Sequence, residues 1–183
     1  MLSGRGFRAH FDTPGQRDLY QYWQRAAGSR RMPSRADFDP FSIPKLLPCI
    51  GLIDVRDGLD EARFRLAGTR LRDVYGEEIT GKRLDLIYAG PRADYWRGVH
   101  AEVVARGVPL NGAVGGPVGG REALFLVWMR LPLSEDGKSV DRILCYDMEG
   151  SAEEAPSQRD RPWLPVPTPQ PRVWVRPRRA HLG

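Results

Sequence analysis

The stretch that most constrains this chain is "REALFLVWMRLPL", residues 121–133. Read with the two-residue period of a strand, Leu124, Leu126 and Trp128 share one side, and Phe125, Val127 and Met129 share the other. A strand apolar on both sides cannot lie at an edge or on an open face. It must be central, with cover on both faces. The rest of the chain therefore has to supply neighbouring strands and two covering layers.

The neighbours are readable. "VPLNGAVGG" (108–116) precedes the central strand across a Gly-Pro-Gly turn, and "VDRILCYDM" (140–148) follows it after "SEDGKS". Upstream, "IGLIDV" (50–55) and "EARFRLAG" (61–68) flank the turn "DGLD" and read as a hairpin. Phe64 and Leu66 are expected to alternate inward against Arg63 and Arg65. That makes five strands.

Helices supply the cover. Thr13-Pro14 reads as an N-cap with proline at the first helical position. Leu19, Tyr22, Trp23 and Ala26 then fall at i, i+3, i+4 and i+7, and Gly28 closes the helix. Asp39-Pro40 predicts a short helix running to Leu47, and Thr69 predicts a cap on a short turn carrying Leu71, Val74 and Tyr75. "LDLIY" is another short helix. Gly90-Pro91 opens a longer one over 91–107, with Trp96, Val99, His100 and Val103 on one face. Two strand runs separated by a helical insert argue for an α+β fold with an antiparallel sheet, and exclude a doubly wound parallel sheet.

This order, with "FRLAGTRLRDVYGEEITGKRL" and "SRADFDPFSIPKLLPCIGLIDV", resembles the PAS domain family. In particular it is similar to the small single-domain PAS-like proteins common in alphaproteobacteria. The resemblance covers roughly 30–150. It implies a five-stranded antiparallel sheet with helices packed on one face, an N-terminal capping helix and a pocket between sheet and helices. It also implies a sensory or protein-interaction role in signal transduction, through contacts with a partner such as a histidine kinase. It does not imply one ligand. The expected organisation is an arm and amphipathic helix over 1–29, the PAS-like domain over 30–150, and a Pro/Arg-rich tail over 151–183 in extended or disordered form.

The candidate pocket residues are Tyr75, Trp96, His100, Phe125, Val127 and Met129, which line either a plain core or a cavity for a small molecule. Haem-binding PAS domains hold iron through a histidine on the helix corresponding to 91–107. A lone helical histidine such as His100 is more often a core residue, so haem is not expected. Nothing matches the cysteine-containing stretch of the flavin-binding subclass, so flavin is not expected either. Leu19, Tyr22 and Trp23 are expected either to cap the sheet or to form a partner or homodimer face.

No catalytic site can be assembled, because the carboxylates do not cluster and His10 and His181 lie near the termini. "GEEITGKR" (76–83) looks like a phosphate loop, but it does not run from a buried parallel strand into a long helix, and Arg83 stands where Ser or Thr should bind magnesium. "GAVGGPVGG" (112–120) joins two strands and reads as a hairpin turn. Cys49 and Cys145 have neither CxxC spacing nor a nearby histidine pair, so no metal site is expected.

The net charge of +5 is local. Residues 159–183 hold six arginines and one aspartate, while residues 1–158 hold 22 basic and 22 acidic side chains. Nucleic acid is therefore not expected on the body. Binding to nucleic acid or an anionic surface through Arg172, Arg176, Arg178 and Arg179 is the alternative reading. No run is long and apolar enough for a membrane span, and the N-terminus has no signal-peptide core, which points to the cytoplasm.

Overall fold

The computed structural model describes residues 13–115, 125–150 and 164–165. Helix α1 spans Pro14–Ala27, and its start is a complete capping box, with the Thr13 hydroxyl accepting from Gln16 N and the Gln16 side chain accepting from Thr13 N. The strands are β1 (Ile50–Asp54), β2 (Arg63–Ala67), β3 (Leu110–Gly115), β4 (Phe125–Leu133), β5 (Arg142–Gly150) and β6 (Leu164–Pro165). Between β2 and β3 lie α2 (Thr69–Tyr75), α3 (Leu84–Ile87) and α4 (Ala93–Arg106). All strand pairs are antiparallel, in the order β2-β1-β5-β4-β3-β6.

The central position of β4 follows from its composition. It pairs with β5 over nine residues, Phe125 to Leu133, and with β3 over six. Both of its faces are covered. On one, Trp128 and Arg130 meet α4 and the short helices; on the other, the residues beside Tyr146 meet α1. Helix α1 is bolted down by two long-range bonds: Gln16 Nε2 donates to Trp128 O and Trp23 Nε1 donates to Pro132 O, each at 2.9 Å. Leu19, Tyr22 and Trp23 are all buried within the chain's own fold. The expected apolar face is thus consumed as the cap on the sheet and is not a free partner surface.

Four local expectations change. The helix expected from Pro40 to Leu47 is two separate 3₁₀ turns, Pro40–Ser42 and Leu47–Cys49. Pro44 disfavours the helical conformation at Ile43, which takes φ −134° and ψ 43°. The β1–β2 pairing skips a residue: Leu52 faces Leu66 and Ile53 faces Phe64, leaving Arg65 as the bulge. Phe64 is therefore fully buried while Leu66 is half exposed on the opposite face. Helix α2 is capped at Gly68 rather than by the Thr69 side chain. Finally, a two-residue strand from the Pro-rich tail extends the five-stranded sheet at the β3 edge.

Candidate functional site

The space between the sheet and α2–α4 is filled by polar and aromatic side chains from five elements. Arg130 (β4), Asp147 (β5), His100 (α4) and Tyr88, just past α3, are buried, and Tyr75 closes α2 beside them. Arg130 and Asp147 come to one face because the β4–β5 register sets Arg130 opposite Cys145 and Trp128 opposite Asp147.

Arg130 holds the group together. Its Nη1 donates to Asp147 Oδ1 at 2.7 Å and to Met129 O at 2.9 Å; Nη2 donates to Tyr88 Oη at 2.9 Å; Nε donates to His100 Nε2 at 3.2 Å. Tyr75 Oη lies 3.0 Å from Tyr88 Oη and donates to Asp147 Oδ2 at 3.1 Å. Donor supply gives this ring a direction. Tyr88 accepts from Arg130, so it is free to donate to Tyr75, whose own proton goes to the carboxylate. The guanidinium also lies over Trp96, 5.0 Å from the ring centroid, and Tyr88 stacks on Trp96 at 4.6 Å.

Because Nε2 of His100 accepts from Arg130, Nδ1 carries the proton and donates to Trp96 O at 2.8 Å. Burial, reinforced by the Arg130 charge, drives the imidazole pKa down to about 3, so it is neutral near neutral pH. Both ring nitrogens are thus engaged inside the protein, Nδ1 by Trp96 O and Nε2 by Arg130. Burial pushes the Tyr75 and Tyr88 hydroxyls up, and lifts the Cys145 thiol to about 12. The Asp147 carboxyl is raised by burial, against the pull of Arg130. The arrangement suits a fixed charge pair and its hydrogen-bond ring, not a nucleophile with a base.

A cleft of about 320 Å³ opens onto this cluster from the helical side. Tyr88, Trp96 and His100 line it, between the turn Leu59–Glu61 and helices α3 and α4. Its charged rim is internally paired, Arg83 with Asp85 at 2.8 Å and Arg97 with Asp60 at 3.4 Å.

Of the sequence-predicted pocket residues, Tyr75, Trp96 and His100 lie in this cluster. Val127 and Met129 do not. Met129 is opposite Tyr146, whose ring lies against Gly15 of α1, so both residues point to the α1 side. The inward positions are the alternate ones, Trp128 and Arg130. Phe125 opens β4 opposite Gly115 and Gly150, and its side chain lies outside the described residues, as do Arg172, Arg176, Arg178, Arg179 and the turn 116–124. Sequence reasoning passed over Arg130, Asp147 and Tyr88. A lone arginine in an apolar strand and a lone aspartate in its neighbour were the available signal.

"GEEITGKR" is an anchored loop. Gly76 (φ +74°) ends α2 in a left-handed conformation and Gly81 (φ +82°) takes another, both of which suit glycine. Ile79 between them is fully buried, and Phe64 N donates to Lys82 O at 3.0 Å, so the loop lies along the β2 edge. Lys82 pairs with Glu77 and Arg83 with Asp85.

No helix among the described residues is long and apolar enough to cross a membrane, and none of their His, Cys, Asp and Glu side chains form a group of three that could hold a metal ion. A family model described as "PAS domain" matches residues 11–146. No curated protein matches the chain. Among solved structures, the chain is similar to a LOV protein of Rhodobacter sphaeroides at 16% identity, covering 61% of this chain and 68% of that one, with a TM-score of 0.46.

Proposed function

We propose, from the premise that this chain belongs to the PAS domain family, that it is a sensory or adaptor module of signal transduction that does no chemistry of its own. It works through protein–protein contacts, with a signalling protein such as a histidine kinase as partner, in the cytoplasm. A small molecule in the cleft over Tyr88, Trp96 and His100 is the fitting input.

The observation that carries this reading is the double role of β4. Its inward side chains, Trp128 and Arg130, belong to the buried cluster. Its Trp128 and Pro132 carbonyls hold α1 on the other face. A shift in the cluster would move the strand that seats α1, and α1 is the element placed to pass that shift to a partner. Packed strands transmit small displacements because they are stiff.

Proximity labelling with the chain in its native cells, followed by calorimetry of the purified pair, tests the reading. A signalling protein enriched reproducibly and binding directly supports it. Nucleic acid that co-purifies, and is lost when Arg172, Arg176, Arg178 and Arg179 are changed to serine, would replace it with the tail-binding alternative.

A further inference from the structure

The cleft over Tyr88, Trp96 and His100 has two ends of different chemistry. Its deep end is a wall of rings. Tyr88 stacks on Trp96 with 24° between the planes, and His100 lies 5.4 Å from Tyr88 and 6.0 Å from Trp96. Most polar atoms of that wall are already engaged inside the protein. Tyr88 Oη accepts from Arg130 and meets Tyr75 Oη, and His100 uses both ring nitrogens. Behind the rings, Arg130 and Asp147 offset each other's charge. One donor is left over: the Trp96 indole N–H has no acceptor among the described residues, although Trp96 is only 5% exposed. The deep end therefore suits an apolar, flat group, and a buried N–H without an acceptor favours an occupant that brings one.

The mouth is charged and latched. Arg97 of α4 and Asp60 of the turn Leu59–Glu61 stand on opposite walls and pair across the opening at 3.4 Å. Both side chains are open to water, 69% and 86% exposed, so the pair is weakly held. The second rim pair differs. Arg83 grips Asp85 through two bonds, Nε to Oδ1 at 3.0 Å and Nη2 to Oδ2 at 2.8 Å, and adds Nη1 to Glu61 at 3.3 Å. Arg83 is thus fixed, and the Arg97–Asp60 latch is the releasable part of the rim.

We propose that the cleft takes a zwitterionic α-amino acid with a large apolar or aromatic side chain. Its carboxylate meets Arg97, its ammonium meets Asp60, and its side chain lies against the Tyr88–Trp96 wall. The inference rests on the reading of this cleft as the seat of a small-molecule input, and names the class of that molecule. Charge balance selects it. A ligand with a single charge would release one partner of the latch and leave the other without a counter-charge, whereas a zwitterion replaces the partner on both sides. A carboxylate also supplies the kind of acceptor that the indole N–H lacks. Size agrees: about 320 Å³ is at the small end of ligand pockets, which run from roughly 300 to 1,000 Å³, so one amino acid fits where a dinucleotide would not.

Calorimetry of the purified full chain tests the proposal, with L-phenylalanine, L-tryptophan and L-leucine as probes. Phenylpropionate and phenethylamine carry the same ring with one charge each, and indole carries none. At least one of the three amino acids should bind with a Kd of about 10 µM to 1 mM, and each single-charge probe should bind at least about tenfold more weakly. Arg97→Gln and Asp60→Asn should each weaken amino-acid binding about tenfold or more. Their thermal midpoints without ligand should stay at the parent value, because both side chains are exposed. Arg72→Gln, on α2 and outside the cleft, should change nothing. Phenylpropionate, phenethylamine or indole binding as tightly as the best amino acid overturns the proposed class and leaves the cleft as a small-molecule site. No binding by any probe up to about 10 mM overturns the proposal, while direct binding of a signalling partner would still uphold the adaptor reading. Amino-acid binding indifferent to both latch variants overturns the placement at Arg97 and Asp60, and the proposal with it.

Discussion

Replacing Arg130 by methionine tests whether the buried cluster is held by its charge pair. Methionine keeps the apolar stem and removes the guanidinium. Arg130 and Asp147 are both fully buried, so the loss leaves a carboxylate in the interior with only the Tyr75 hydroxyl as donor. It also strips donors from Tyr88, His100 and Met129 O. Breaking one side of a buried pair costs about 3–5 kcal/mol, a large part of the roughly 5–15 kcal/mol that holds a domain folded. Asp147→Asn should cost a similar amount, because it strands the guanidinium. The double variant should recover at least about 2 kcal/mol relative to the sum, since neither charge is then left alone. Urea unfolding monitored by tryptophan fluorescence gives all four free energies.

The same variant carries a pH signature. Burial already raises Asp147, and removing Arg130 raises it further. Its folded form then binds a proton at a pH where the unfolded chain does not, so the deficit of Arg130→Met against the parent shrinks as pH falls from neutrality. A cost below about 1 kcal/mol, or strict additivity in the double variant, would refute the account of the cluster.

His100 gives a second pH effect of opposite sign. Its folded pKa of about 3 lies below the unfolded value, so the unfolded chain binds the proton first and stability falls on acidification; the loss is roughly 2 kcal/mol between about pH 6.5 and pH 5. The difference between the pH profiles of the parent and His100→Gln isolates it, and parallel profiles would show that His100 is not held neutral. Trp23→Phe removes the bond to Pro132 O and should cost about 1–3 kcal/mol in urea unfolding, because that buried carbonyl loses its donor. Gly68→Ala should destabilise by at least about 2 kcal/mol, since a Cβ there meets the backbone carbonyls of Leu47 and Pro48, which cannot swing aside; a midpoint shift within error would contradict that packing.

Much of the fold was legible because a few stretches permit little else. "LFLVWM" could only be a covered central strand, and the capping box at Thr13–Gln16 marked α1 to the residue. The site was legible only in part. Trp96 and His100 followed from helical spacing, which assigns a face without ambiguity. In β4 the same logic failed: with both faces apolar, alternation says which residues travel together but not which set meets the helices. That choice is made by the register that brings Arg130 and Asp147 together, and register depends on partners distant in sequence. The bulge at Arg65 was hidden for the same reason, since an extra residue shifts the phase without altering the local pattern of "RFRLA". The dense packing of the interior was also out of reach, because "RLPL" and "YDM" separately look like strand ends.

The central claim is that β4 couples the buried cluster to α1. Hydrogen exchange of the α1 amides, Pro14–Ala27, in the parent and in Tyr88→Phe tests it most directly. That substitution deletes only the hydroxyl between Arg130 and Tyr75, on the face of the sheet away from α1. Losing one such link costs about 1 kcal/mol, so coupling predicts α1 exchange faster by about fivefold, with the β1–β2 hairpin unchanged. Unchanged exchange in α1, with a slower or faster rate confined to α3 and α4, would contradict it.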